Sequence, residues 1–136
     1  MNLPDPSASE ELDLESFLGM LPHLSRQELL AISAAHGDVN AEARETARVR
    51  VAETARKRGV MDELDRLQGS IIQWASADIA QSSRFTMANT YDSVLADLRM
   101  QAVPALVDVA AALVLGSALD AEDREVLLRP LRALQP

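Results

Sequence analysis

Four acidic residues in two neighbouring segments have the type and the spacing of ligands for a divalent metal ion. Glu42 and Glu45 are three residues apart, and Asp62 and Asp65 repeat this spacing after a gap of sixteen residues. Residues at positions i and i+3 share one face of a helix, and carboxylate oxygens are the ligands that Mg²⁺ prefers. The four acids are therefore candidate metal ligands.

The pattern of these acids resembles the E-x-x-E and E-x-x-D motifs of all-α nucleoside triphosphate pyrophosphohydrolases. The match covers about 24 residues and has Asp62 where that family has Glu. The resemblance implies that acids from two helices hold Mg²⁺ against a triphosphate. Helical spacing, however, places all four acids opposite the apolar faces of their segments, where solvated charges lie. We keep a Mg²⁺-dependent hydrolase as an alternative, and predict no metal ion and no other cofactor.

Asp108 is the one charged residue in the most apolar stretch of the chain, residues 102–119. A buried carboxylate needs a partner, so we expect an ion pair or hydrogen bonds from an adjoining helix. Among the cations outside residues 44–58 and outside the C-terminal segment, we name Arg84 and Arg99 as the candidate partners. The other interpretation is a small polar pocket with four members: Trp74, Asp78, Arg84 and Asp108.

Most other catalytic chemistry is missing from the sequence. The chain has no cysteine, two histidines and five isolated glycines, so it lacks thiolates, a phosphate-binding glycine loop and a G-x-S-x-G motif. Neither H-E-x-x-H nor E-x-x-H occurs. We expect His36, next to Gly37, to interact with the free carbonyl groups at a helix end. The sequence therefore indicates no catalytic residue.

Six cations between residues 44 and 58 form a basic segment in an acidic chain. The net charge of −8 and the pI near 4.7 oppose binding to phosphate backbones. The six cations spread around their helix, have glutamate neighbours and lack interleaved aromatic rings, which favours a solvated, internally paired face. We do not expect a nucleic acid partner, and keep a nucleic-acid-associated regulator that uses residues 44–58 as a second alternative.

Hydrophobic periodicity predicts helices throughout, because the apolar residues are mainly Leu, Ala and Val with only four aromatics. The expected fold is all-α, a compact orthogonal or up-down bundle of about five to seven helices. Ser25, Asn40 and Asp120 are the expected N-caps. Gly37 is the expected left-handed residue after one helix, and Gly59 ends the next helical segment. Pro104 either begins or kinks a helix, and Pro130 kinks or splits another. The predicted helical segments are 14–21, 25–37, 40–59, 60–80, 86–102, 104–119 and 120–134, with a break at 82–84.

Residues 102–119 are apolar on all sides, which is typical of a central helix. A helix of this length spans about 27 Å, slightly less than a ~30 Å hydrocarbon core, so length alone does not exclude a membrane. Asp108 at its centre would cost roughly 2.5–3.5 kcal/mol in lipid, and no cluster of basic or aromatic residues flanks it. We therefore predict no membrane span, and expect a homodimer with this helix near the interface.

Together these patterns predict a flexible acidic N-terminal tail over 1–12 and a single helical domain over 13–136. The tail lacks the basic and apolar regions of a secretory signal, and arginine outnumbers lysine twelve to one, as in GC-rich bacteria. We expect a soluble, cytoplasmic, bacterial protein that acts without catalysis as an interaction, adaptor or regulatory module. Its expected partners are a second copy of itself and another protein.

Overall fold

Six α-helices form the protein in a computed structural model that describes residues 13–84 and 93–134, with side chains over 13–77 and 94–134. Short 3₁₀ turns follow the first helix and the fifth helix, and no strand occurs within these ranges. The predicted all-α bundle is confirmed. The predicted tail over 1–12 lies outside the described residues. In chain order the helices are α1 (Leu14–Met20), α2 (Arg26–Asp38), α3 (Ala41–Arg58), α4 (Met61–Arg84), α5 (Ser93–Leu115) and α6 (Ala121–Arg132).

The start of α2 and both ends of α3 follow from their terminal residues. Ser25 accepts a hydrogen bond from the backbone of Glu28 and donates its own N–H to the Glu28 carboxylate, as a capping box requires. The side chain of Asn40 accepts from two N–H groups in the first turn of α3. Gly59 ends α3 with φ +71°, in the left-handed region. Asp120 is the N-cap residue of α6, as predicted, but its side chain makes no capping hydrogen bond.

The prediction that Gly37 is a left-handed residue at the end of α2 is wrong. Gly37 is helical, and α2 continues to Asp38. The carbonyl group of His36 accepts from the Val39 N–H at 3.4 Å and from Arg44 Nη1 at 2.7 Å. Because the arginine of the next helix satisfies this terminal carbonyl, the chain needs no left-handed residue there.

Pro104 and Pro130 each lie inside a continuous helix. Pro104 is within α5, so residues 93–115 form one helix, and Pro130 is within the last turn of α6. Proline lacks the N–H that would bond the carbonyl four residues earlier, which for Pro104 is that of Met100. The Met100 side chain is 41% exposed, so water is available near that carbonyl. The α4 helix extends to Arg84, so residues 82–84 are helical and the break predicted there is wrong.

The α5 helix is the centre of the bundle, because it contacts each of the other five helices. Residues 94–118 are long and apolar enough to cross a membrane by length and composition, with a mean hydropathy of 1.7. Half of the apolar window is buried within the bundle. The prediction of a central helix is therefore confirmed.

The α4 helix packs mainly on α5 and to a lesser extent on α3. Its Ile71 and Ala75 are fully buried, but most of its other apolar residues are only half-buried, and Ile72 is 41% exposed. The half-buried residues are Met61, Leu64, Leu67 and Trp74. This helix therefore covers α5 incompletely and leaves space between α3, α4 and α5.

Candidate functional site

Asp108 is buried in the middle of α5 and forms a two-point ion pair with Arg48 of α3. Its exposed fraction is 5%. Arg48 Nε donates to Oδ1 at 3.0 Å, and Arg48 Nη2 donates to Oδ2 at 2.9 Å. Two parallel charge-assisted hydrogen bonds fix the orientation of both groups. The expectation that a buried Asp108 has a partner is confirmed, and the described arginine partner, Arg48, comes from the basic segment, which the prediction had left out.

His36, in the last turn of α2, completes the group that we call the Asp108 cluster: His36, Arg48 and Asp108. Its Nε2 lies 3.2 Å from Asp108 Oδ2 and 3.4 Å from Arg48 Nη2. An unprotonated Nε2 would direct its lone pair at a carboxylate oxygen, so we assign the proton to Nε2, which donates to Asp108. The imidazole thus bonds another helix and not the end of its own helix, contrary to the prediction from the sequence.

Burial lowers the pKa of His36, and the charges of Arg44 and Arg48 lower it further. The hydrogen bond and the charge of Asp108 act in the opposite direction but do not cancel this effect. The hydrogen bond to Asp108 raises the pKa of Arg48, which stays charged. With a neutral imidazole, the Asp108 cluster contains one positive and one negative charge.

A cavity of about 430 Å³ lies between α3, α4 and α5, and Arg48 and Asp108 are part of its wall. Its volume is within the range of sites that hold small molecules. Ten of the fourteen residues that line it are apolar, so most of any bound molecule would contact hydrocarbon. The apolar residues are Val51, Ala52, Met61, Leu64, Leu67, Val103, Pro104, Val107, Ala110 and Ala111; the polar ones are Arg48, Asp65, Gln68 and Asp108.

A second ion pair joins α3 to α6. Arg50 Nη1 lies 2.9 Å and 3.0 Å from the two carboxylate oxygens of Asp123, which is 4% exposed. The hydrogen bonding raises the pKa of Arg50, although half of its side chain is in solvent. Neither residue lines the cavity. This pair therefore holds α6 against α3 and is not part of the candidate site.

The structure places Trp74 away from Asp108. The Arg99 guanidinium carbon lies 5.4 Å from the centre of the Trp74 ring, a cation–π distance. Arg99 precedes Asp108 by nine residues in α5, which is about 13 Å along the helix axis. Trp74 is absent from the cavity wall. The side chains of Asp78 and Arg84 lie outside the described residues, so the four-residue pocket stays a prediction.

The four candidate metal ligands do not form a cluster. In the part of the chain that the structure describes, no group of three or more His, Asp and Glu residues is positioned to hold a metal ion. Glu42 and Glu45 are exposed in the first turns of α3, whereas Asp62 follows its far end. Asp65 lies one turn after Asp62 on α4 and is the one of these four acids that lines the cavity.

The basic segment differs from the prediction of a solvated, internally paired face. Arg48 and Arg50 each bind a buried carboxylate from another helix. The signal in the sequence is the position of Arg48 directly after Ala47, which is fully buried on the small-residue stripe of α3. A long side chain beside that stripe can reach the neighbouring helix while it keeps contact with solvent.

Comparison of the chain with protein-family models, with curated proteins and with solved structures finds no match. The function is therefore inferred from the chemistry and the geometry of the chain itself.

Proposed function

We propose that this protein is a soluble, non-catalytic interaction module that works by packing its helices against a second copy of the chain. The observation that supports this is the distribution of exposed apolar side chains. Among the described residues, five large hydrophobic side chains are exposed, and three of them lie on α4 and α5: Ile72 at 41%, Val94 at 52% and Met100 at 41%. Solvent contact of grouped apolar side chains is unfavourable and is relieved by association.

Helical spacing places two of these side chains in line with the cavity. Ile72 follows Gln68 by four residues and Asp65 by seven, so it shares their face of α4. Met100 precedes Pro104 by four residues and Val107 by seven, so it shares their face of α5. From this spacing we infer a groove, which we call the α4/α5 groove, that runs from the cavity residues Met61 and Ala111 to Ile72 and Met100.

Eleven residues separate the ends of the α4/α5 groove on each helix, which corresponds to about 16 Å. A two-fold dimer uses the same patch on both subunits, so the exposed end of one groove would cover that of the other. The net charge of −8 on each copy opposes this association, and we expect salt to strengthen the dimer by screening the repulsion.

A cytoplasmic location and a bacterial source are part of the same proposal. They are supported by the absence of cysteine and by the arginine-rich composition. The hydrolase and the nucleic-acid alternatives receive less support, because the candidate acids are spread out and two of the six cations are bound to buried acids. A thermal shift with Mg²⁺ and nucleoside triphosphate that Glu45→Gln abolishes would favour the hydrolase.

Light scattering during gel filtration tests the dimer. We expect wild type to have twice the 14.8 kDa mass of the chain, and Ile72→Glu/Met100→Glu to have the mass of a monomer with an unchanged circular dichroism spectrum. The matched control is Leu30→Glu on α2, where the side chain is 54% exposed but far from the α4/α5 groove in sequence. Monomeric wild type at high protein and salt concentration would refute the proposal, as would dissociation by the control.

A further inference from the structure

The cavity between α3, α4 and α5 has the size and the lining of a binding site in its own right. Its 430 Å³ exceeds the space that a two-ring aromatic molecule occupies, and ten of fourteen lining residues are apolar. Ala110 and Ala111 of α5 are part of its wall, and their small side chains leave room next to the central helix. A ligand would therefore gain most of its affinity from an apolar body.

The charges around the cavity decide which polar group such a ligand can carry. Arg48 uses Nε and Nη2 for Asp108, and its Nη1 lies 3.9 Å from a Glu45 oxygen. Asp65 adds a second lining carboxylate, and the lowered pKa of His36 keeps that imidazole neutral near pH 7. Among the described lining residues, no cation remains without an acidic neighbour, so an anionic ligand would be repelled.

One acceptor position remains at the buried carboxylate. Asp108 Oδ2 contacts both Arg48 and His36, whereas Oδ1 accepts one described hydrogen bond, from Arg48 Nε. A carboxylate oxygen has two lone pairs, so Oδ1 can accept from one further donor. The two-point contact with Arg48 holds this oxygen in place before any ligand arrives, which reduces the entropy cost of binding.

We propose that this cavity binds a small amphipathic molecule with an apolar body of two to three rings and an uncharged or cationic head that donates a hydrogen bond to Asp108. The proposed dimer contact uses the other end of the α4/α5 groove, at Ile72 and Met100, and these two residues are not in the cavity wall. Fatty acids, phosphates and other anions are excluded by the paired state of Arg48. This binding activity goes beyond the interaction function proposed above.

Two fluorescent dyes test the proposal, because they share one ring framework and differ in charge. N-phenyl-1-naphthylamine is uncharged and has an N–H donor, whereas 8-anilinonaphthalene-1-sulfonate carries an additional sulfonate. We expect the uncharged dye to bind wild type with saturable fluorescence enhancement. The anionic dye should bind at least about tenfold more weakly, because its charge faces unbalanced acids near a partly buried site.

Variants locate the binding site. Ala111→Trp adds an indole ring inside the cavity and should abolish saturable binding of the uncharged dye. The matched control is Ala121→Trp, at an exposed position at the start of α6, which should bind as wild type does. Ile72→Glu should also keep binding, and this result separates the cavity from the dimer patch.

Three results would overturn the proposal: no saturable binding of the uncharged dye to wild type, equal affinity for the anionic dye, or unchanged binding by a folded Ala111→Trp variant. If that variant does not fold, Ala111→Leu replaces it, since the smaller side chain should still weaken binding about tenfold. The dye comparison on wild type requires no variant, so it decides the charge preference in either case. A wild-type protein that is monomeric at high protein and salt concentration but still binds the uncharged dye would refute the proposed function alone.

Discussion

Replacing Arg48 with Met tests the energetic role of the Asp108 cluster. The substitution keeps an unbranched side chain along α3 but removes the guanidinium that gives Asp108 two hydrogen bonds at 2.9 and 3.0 Å. Asp108 would then be a charged group, 5% exposed, with His36 as its remaining described partner. Leaving a buried charge without its counter-ion is more costly than the lost attraction alone.

The expected loss follows from the burial of the two partners. Removing one partner of a fully buried ion pair costs about 3–5 kcal/mol. The Arg48 side chain is 37% exposed, so water can partly replace its hydrogen bonds to Asp108. We therefore expect the free energy of unfolding to fall by about 2–3 kcal/mol. With a typical urea dependence, this loss lowers the unfolding midpoint by about 1–2 M urea.

The assay is urea unfolding at pH 7, followed by circular dichroism at 222 nm, for wild type and three variants. Lys57→Met changes an exposed charge on the same helix and should alter stability by no more than about 0.5 kcal/mol. Arg48→Met/Asp108→Leu removes both charges and should regain stability to within about 1 kcal/mol of wild type. An Arg48→Met variant that loses no more stability than Lys57→Met would contradict the proposed role of the ion pair. A double variant that is less stable than Arg48→Met would also contradict it.

Three further perturbations test the titration and the helix ends. Because the pKa of His36 is lowered on folding, the unfolded chain binds more protons below pH 6.5. Wild type should therefore lose stability as the pH falls from about 7 towards 5.5. Unfolding of His36→Gln across this range should show a smaller loss of stability, and an equal loss would contradict the lowered pKa. Gly59→Ala places a side chain at φ +71° and should lower the free energy of unfolding by about 1 kcal/mol in urea titrations. Gly37 is helical and has no heavy atom within 4 Å of an added Cβ, so Gly37→Ala should raise the free energy of unfolding by about 0.5–1 kcal/mol. A change of the same sign in both variants would contradict the assigned conformations. Asn40→Ala removes an acceptor for two N–H groups and should cost about 1 kcal/mol by the same measurement, and an unchanged midpoint would show that the cap contributes nothing.

Helix positions follow from local signals, and these were sufficient for most of the fold. The alanine stripe of α3 predicts the buried side, and Ala47 and Ala55 are indeed fully buried. Residues 102–119 are apolar on all sides, which predicts a central helix, and α5 is the central helix of the bundle. The failure at Gly37 has a tertiary cause, because Arg44 supplies the donor that a left-handed residue would otherwise provide.

The candidate site depends on how helices cross, which local patterns do not specify. The need of Asp108 for a partner follows from its apolar neighbours, but the choice among twelve arginines depends on the contact between α3 and α5. Arg99 shares a helix with Asp108 and yet lies beside Trp74. The cavity is also a product of packing, since it forms where α4 covers α5 incompletely.

The most direct test of the central claim is an NMR measurement of the Arg48 side chain in the folded protein. We expect a slowly exchanging, downfield Nε–H resonance for Arg48, with nuclear Overhauser contacts to the Asp108 β protons. In Asp108→Leu, this contact between Arg48 Nε–H and residue 108 should be lost. A fast-exchanging Arg48 Nε–H at the position of a solvated arginine, with no contact to α5, would contradict it.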